Sequence, residues 1–186
     1  MRMRIRQARL WAALAMTAYA LPALAHPGQG TATGFAAGLL HPLSGLDHLL
    51  ALLAVGLWSR QQRDGYVLPP SFLVLMALGA STGLGFSPAP ALEISIAATV
   101  LLLGVLAAFA LRVPAALSLA TVGMCGFLHG LAHGRELSGL ASGAGFLLSS
   151  ALLMAAGALP GERLRRLAGV AIGAAGAVLL AGLAQA

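Results

Sequence analysis

Apolar residues run almost unbroken for about twenty positions at a time, and short polar clusters separate the runs. Six such runs occupy about residues 32–58, 66–86, 92–111, 114–134, 139–159 and 166–184. The separators are Ser59–Asp64, Ser87–Pro90, Arg112–Pro114, Arg135–Ser138 and Pro160–Arg166. At 1.5 Å rise per residue, twenty residues make a helix of about 30 Å, the thickness of a bilayer's hydrocarbon. The apolar/polar alternation of an outer-membrane barrel strand does not occur in these runs. The pattern therefore predicts an all-α integral membrane protein, a six-transmembrane-helix bundle spread over residues 26–186.

Residues 1–25 follow a different design. Arg2, Arg4, Arg6 and Arg9 precede an apolar stretch from Leu10 to Leu21 and a small-residue site at Ala23-Leu24-Ala25. These are the three parts of a cleavable signal peptide. The alternative is an uncleaved first span, but the apolar part is about twelve residues, short of the roughly twenty a crossing needs. Cleavage would start the mature chain at His26, outside the cytoplasmic membrane. From there the first, third and fifth breaks fall on the cytoplasmic side. They hold Arg60, Arg63, Arg112, Arg163, Arg165 and Arg166, while the external breaks hold Arg135 alone. This positive-inside bias agrees with the leader and puts both mature termini outside the cytoplasmic membrane.

Composition narrows the class further. Charged residues make up 9% of the chain and apolar ones 59%, against roughly 25% charged in a soluble domain. The net charge of +6 shrinks once the leader is set aside, leaving seven arginines against five acids. That balance gives no nucleic-acid partner, and the chain carries no nucleotide-binding loop. Cys125 is the single cysteine, so no internal disulfide is available; it and Met124 read as packing residues. Glycines recur on helix faces at Gly79 and Gly83, at Gly139 and Gly143, and at Gly169, Gly173 and Gly176. Such spacing lets helices of one bundle approach closely, and a homo-oligomer through the same faces is the second reading.

The informative residues are ionisable groups inside the apolar runs. An Asp at bilayer depth costs at least ~2.5–3.5 kcal/mol on insertion scales, so such groups normally face a protein interior and mark a pathway. One cluster is His41, Asp47 and His48 in the first run; the other is His129, His133 and Glu136 at the end of the fourth. His129, His133 and Glu136 stand at i, i+4 and i+7, one face of a continuous helix. Two imidazoles at i, i+4 can hold one ion, and no Glu follows His129 as a metalloprotease motif requires. On a straight helix His41 and His48 lie about 10.5 Å apart along the axis, too far to share an ion bound at about 2.1 Å. Either the span breaks near His41, with Pro42 opening the deeper segment, or the two histidines serve successive sites. Glu93 at the start of the third run is a weaker candidate for the entrance, its alternative being a carboxylate set against a helix N-terminus. His26 would chelate weakly through its freed amine. Imidazole mixed with carboxylate suits Ni, Co, Zn or Fe(II) better than Mg or Ca, and the lack of thiolate disfavours Cu(I).

His41-Pro42-x-x-Gly45-x-Asp47-His48, followed by Gly56-x-Trp58, resembles the signature of the HupE/UreJ family. Phe127-x-His129-Gly130-x-Ala132-His133-Gly134-x-Glu136 resembles that family's second motif. The leader, the mature start and the six spans match as well. The resemblance implies a permease of the bacterial cytoplasmic membrane that supplies nickel, in some members cobalt, to hydrogenase or urease maturation. It also implies that His41, Asp47 and His48 are essential to metal passage, with His129, His133 and Glu136 alongside. The expected activity is uptake of Ni²⁺ or Co²⁺ as transported cargo, with no permanent cofactor. The runner-up is an intramembrane zinc hydrolase built on the same groups, and a third reading is a membrane metal chaperone or sensor.

Overall fold

A computed structural model describes residues 32–83, 90–134 and 136–185. The expected leader, His26, Arg135 and most of the Ser87–Pro90 break lie outside the described residues. Seven α-helices are described: α1 (Phe35–Leu40), α2 (Leu46–Ser59), α3 (Leu68–Gly83), α4 (Pro90–Ala108), α5 (Ala115–His133), α6 (Leu140–Ala158) and α7 (Glu162–Leu183). Two-residue strands β1 (Ala32–Thr33) and β2 (Leu137–Ser138) pair in parallel just ahead of α1 and α6. Five helical segments of 19–22 residues are long and apolar enough to cross a membrane, and the bent α1–α2 pair makes a sixth if it is counted as one broken span. Exposed Val74, Leu102, Leu117, Leu152 and Val170 give these helices an outward apolar surface, as a lipid-facing bundle requires and a soluble one avoids. The protein is an all-helical, multi-pass membrane protein.

The first apolar run is not a straight helix. Phe35–Leu43 and Leu46–Ser59 meet at 82°. His41–Leu43 forms a 3₁₀ turn with Pro42 near its start, where a missing N–H costs nothing. The Ser44 hydroxyl donates to the His41 carbonyl at 2.7 Å, and Gly45 is extended, with φ −105°. The break thus falls at Ser44–Gly45, and α2 opens at Leu46, four residues later than a Pro42 start. Proline shapes the turn, and glycine releases the chain from it.

Small residues set the helix contacts. A Cβ on Gly130 would lie 2.1 Å from the Met76 carbonyl oxygen, and one on Gly79 2.2 Å from that of Phe127, so α3 and α5 touch backbone to backbone. Gly104 and Gly169 do the same between α4 and α7, as do Gly56 and Gly157 between α2 and α6. Gly139 and Gly143, read from their spacing as a contact face, instead have open space around their Cβ positions; Gly145, against the Phe35 carbonyl oxygen, makes the approach. Gly34 and Gly139 hold nearly the same left-handed backbone, φ 86° and 92°, a conformation that favours glycine. Each follows one of the paired strands, so α1 and α6 leave the strand pair side by side. Trp58, Phe72, Leu103 and Met154 are fully buried in the common core.

Candidate metal centre

The β1–β2 pairing anchors the α5–α6 connection beside α1. Glu136, next to β2, is thereby held near His41, which ends α1. Helix α5 stops at His133, so Glu136 is not on the continuing helical face that its i+7 spacing suggests. Its backbone N–H instead donates to the His133 carbonyl at 3.0 Å in a turn. That turn folds the carboxylate back over the end of α5.

The two motifs converge on one ring. His41 Nε2 lies 2.9 Å from His133 Nδ1 and 3.0 Å from Glu136 Oε2, and His133 Nδ1 lies 2.5 Å from the same oxygen. On its other side, His133 Nε2 is 2.9 Å from His48 Nδ1. His48 Nδ1 in turn is 3.0 Å from His129 Nδ1. The side chains grow less accessible along this series, from 31% exposed at Glu136 and 15% at His133 to 7% at His41. His48 and His129 are buried. Phe146 packs its ring against His41, His48 and His133 at 5.4–5.7 Å between centroids, an apolar wall that fixes their orientation.

Among the described residues, His41, His133 and Glu136 are the group whose ligand atoms all lie within 4.8 Å of one another. Burial opposes the charge on Glu136, but hydrogen bonds from His133 and His41 outweigh it and hold the carboxyl below the ordinary carboxylate range. Glu136 is therefore an anion that can only accept. Two neutral imidazole nitrogens bring at most two protons to a triangle with three edges, so at least one edge has none. A cation among the three atoms removes that deficit. Ligands at right angles on bonds of about 2.1 Å stand about 3.0 Å apart, while tetrahedral ones stand about 3.4 Å apart. The 2.9 and 3.0 Å edges to His41 match the right-angle case, while the 2.5 Å edge between His133 and Glu136 is shorter than either.

Thr99 is a residue that the sequence reading missed. Its hydroxyl donates to the Ile96 carbonyl at 2.7 Å and lies 2.8 Å from His129 Nε2. The threonine proton is committed to the backbone, so His129 must donate Nε2–H to it and turn a lone pair on Nδ1 toward His48. This is the outer-shell bond that normally fixes a metal-binding tautomer. The only signal in the sequence was a hydroxyl amid the apolar third run, which Ser95 shares.

Other candidates stand apart. Asp47 Oδ1 accepts the His48 backbone N–H at 2.7 Å in the first turn of α2, and Asp47 is not one of the grouped ligands. Glu93 is exposed in the first turn of α4. Cys125 is a free, buried thiol in the core, and Met124 is 60% exposed.

The comparisons with known proteins agree with the motif reading. The profile of the family described as HupE / UreJ protein matches residues 14–184. Protein HupE of Rhizobium leguminosarum bv. viciae is 38% identical over 182 residues, covering 90% of this chain and 95% of the relative. No solved structure matches. With a profile match over nearly its whole length and a relative this similar from end to end, the chain belongs to the HupE/UreJ family.

Proposed function

We propose that the protein carries a divalent transition-metal cation, nickel first and cobalt second, inward across the bacterial cytoplasmic membrane. The observation that carries this reading is the triangle of His41, His133 and Glu136, whose three contacts exceed the protons available to fill them. An ion would be desolvated first by the partly exposed Glu136 and His133 with His41. It would then pass to the other face of the His133 ring, where His48 and His129 wait deeper in the bundle. Mixed imidazole and carboxylate donors suit a transition-metal ion such as Ni²⁺. The ion is cargo, and the pathway needs no resident cofactor.

An inside-negative potential is a sufficient driving force, since each charge gains ~2.3 kcal/mol per 100 mV and a dication ~4.6 kcal/mol. The positive-inside distribution of arginines supports external termini and a Glu136 side that faces outward. Delivery to hydrogenase or urease maturation is the destination that the family resemblance supports. A zinc hydrolase on the same residues would hold its ion, whereas a carrier passes it on. The test is purified protein in liposomes with an imposed inside-negative potential. Time-dependent accumulation of ⁶³Ni²⁺ well beyond one ion per chain supports transport. A plateau at one non-exchanging ion per chain refutes it in favour of a fixed site.

A further inference from the structure

A second polar feature lies at the opposite end of α2. His48 stands in the first turn of that helix and Arg60 just beyond its last, about 18 Å away at 1.5 Å per residue. There Arg60, Gln61, Arg112, Glu162, Arg165 and Arg166 line a pocket of about 290 Å³. Four guanidinium groups and one carboxylate face a single cavity. The positive-inside rule puts arginines at this end of a bundle, but it does not gather them from the ends of three different helices around one space.

The walls of that space are fixed rather than loose. Gln61 is buried and donates Nε2–H to the Ala107 carbonyl at 2.9 Å. Gln62 donates to the Leu111 carbonyl at 2.8 Å and accepts the Val113 N–H at 3.2 Å. Trp58 Nε1–H also donates to the Leu111 carbonyl, at 2.9 Å. These bonds fasten the turn after α2 to the end of α4. On the α7 side, Arg165 is steered by a 2.7 Å bond from Nη1 to the Pro160 carbonyl, while its buried Nε–H has no hydrogen-bond partner. Arg166 reaches Glu162 at 2.7 Å, which satisfies one guanidinium. Among the described residues the other three form no salt bridge.

We propose that this pocket binds a phosphate group, presented by the headgroup of an anionic phospholipid. Guanidinium forks match phosphate oxygens bidentately, and basic pockets between transmembrane helices on the cytoplasmic side hold such headgroups. Exposed Phe109, Leu164 and Leu167 beside the pocket offer an apolar surface for acyl chains.

The experiment is native mass spectrometry of the full chain released from detergent after incubation with phosphatidylglycerol, cardiolipin or phosphatidylcholine. Wild type is expected to retain one anionic lipid and to release phosphatidylcholine. The double variant Arg112→Gln/Arg166→Gln should lower retention at least about tenfold. Both side chains are exposed, and among the described residues Arg112 forms no salt bridge, so the fold does not hang on them. Arg63→Gln removes one positive charge from the same end but outside the pocket, and should retain lipid like wild type. Equilibrium dialysis of delipidated protein against ³²P-phosphate distinguishes the sources. Phosphate binding that the double variant abolishes, without lipid retention, supports the pocket with solvent phosphate as its ligand. Equal losses in Arg63→Gln and the double variant, or equal retention of phosphatidylcholine, would overturn the proposal.

Discussion

His133 presents its Nε2 to His48 Nδ1 at 2.9 Å while its Nδ1 faces His41 and Glu136. One imidazole therefore belongs to both the outer group and the deeper pair. A neutral imidazole has a single lone pair, so an ion on Nδ1 leaves Nε2 protonated, with no lone pair to offer on the His48 side. An ion on Nε2 leaves Nδ1–H to donate to Glu136. On the pathway proposed above, passage from one face to the other would be a change of tautomer on a ring that need not move.

This makes outer and deeper occupancy exclusive, and nickel should saturate the purified protein at one ion per chain. His48→Ala should keep that stoichiometry, with affinity within about tenfold of wild type, because the outer triangle survives; its liposome uptake should fall by tenfold or more. His133→Ala should lose binding and uptake together. Calorimetric titration beside ⁶³Ni²⁺ flux checks both; two ions bound in wild type would refute the shared ring.

The pH dependence has a definite sign. Burial disfavours the Glu136 anion, yet the bonds from His133 and His41 prevail and lower its pKa. A depressed carboxyl stabilises the fold fully above the ordinary glutamate range, and that contribution is lost only as pH falls through the lowered value. Between pH 8 and 5, then, Glu136 stays ionised and does not titrate. Metal binding should still weaken across that interval, because imidazoles must shed protons to ligate. Glu136→Gln should lower nickel affinity by about 10- to 100-fold across that interval, measured by calorimetric titration. Wild-type affinity in that variant would remove the carboxylate from the ligand group.

Thr99 gives a sharper test of orientation. Thr99→Val leaves the His129 Nε2–H buried without an acceptor, a loss of about 1–3 kcal/mol, and frees the ring to choose the wrong tautomer. Nickel uptake should drop about 10- to 100-fold, and Thr99→Ser, which keeps the oxygen, should recover most of it. Equal defects in Val and Ser variants would mean that Thr99 matters for packing alone.

The sequence made the helix count legible because each run had the length of a bilayer crossing, and that signal depends on composition, not on partners. Both histidine clusters were legible for a related reason: ionisable groups are conspicuous in an apolar run. Their pairing was not. Spacing put Glu136 on the face of His129 and His133, but α5 ends at His133, and only the distant β1–β2 pairing brings the carboxylate to His41. The break in the first span was anticipated at Pro42 and occurs at Gly45, since a 3₁₀ turn accommodates proline without interrupting the chain. Thr99 stayed hidden because a hydroxyl bonded to its own helix is common in membrane spans, and its second partner is thirty residues away.

Helix approach at α1 sets where His41 stands, and two glycines near α6 separate close contact from mere spacing. A Cβ on Gly38 would fall 1.9 Å from the Ser142 carbonyl oxygen, whereas one on Gly143 meets nothing within 4 Å. Gly38→Ala must push α1 from α6, an overpacking cost of typically about 1–3 kcal/mol. It also carries His41, three residues on, away from His133 and Glu136. Gly143→Ala gains helix propensity, up to about 1 kcal/mol, at no steric cost. Thermal unfolding in detergent should thus show Gly38→Ala less stable than wild type, and Gly143→Ala equal to it or more stable. Nickel affinity should fall only in the first. A loss of affinity in Gly143→Ala, or none in Gly38→Ala, would separate the outer ligand group from the α1–α6 contact on which its geometry rests.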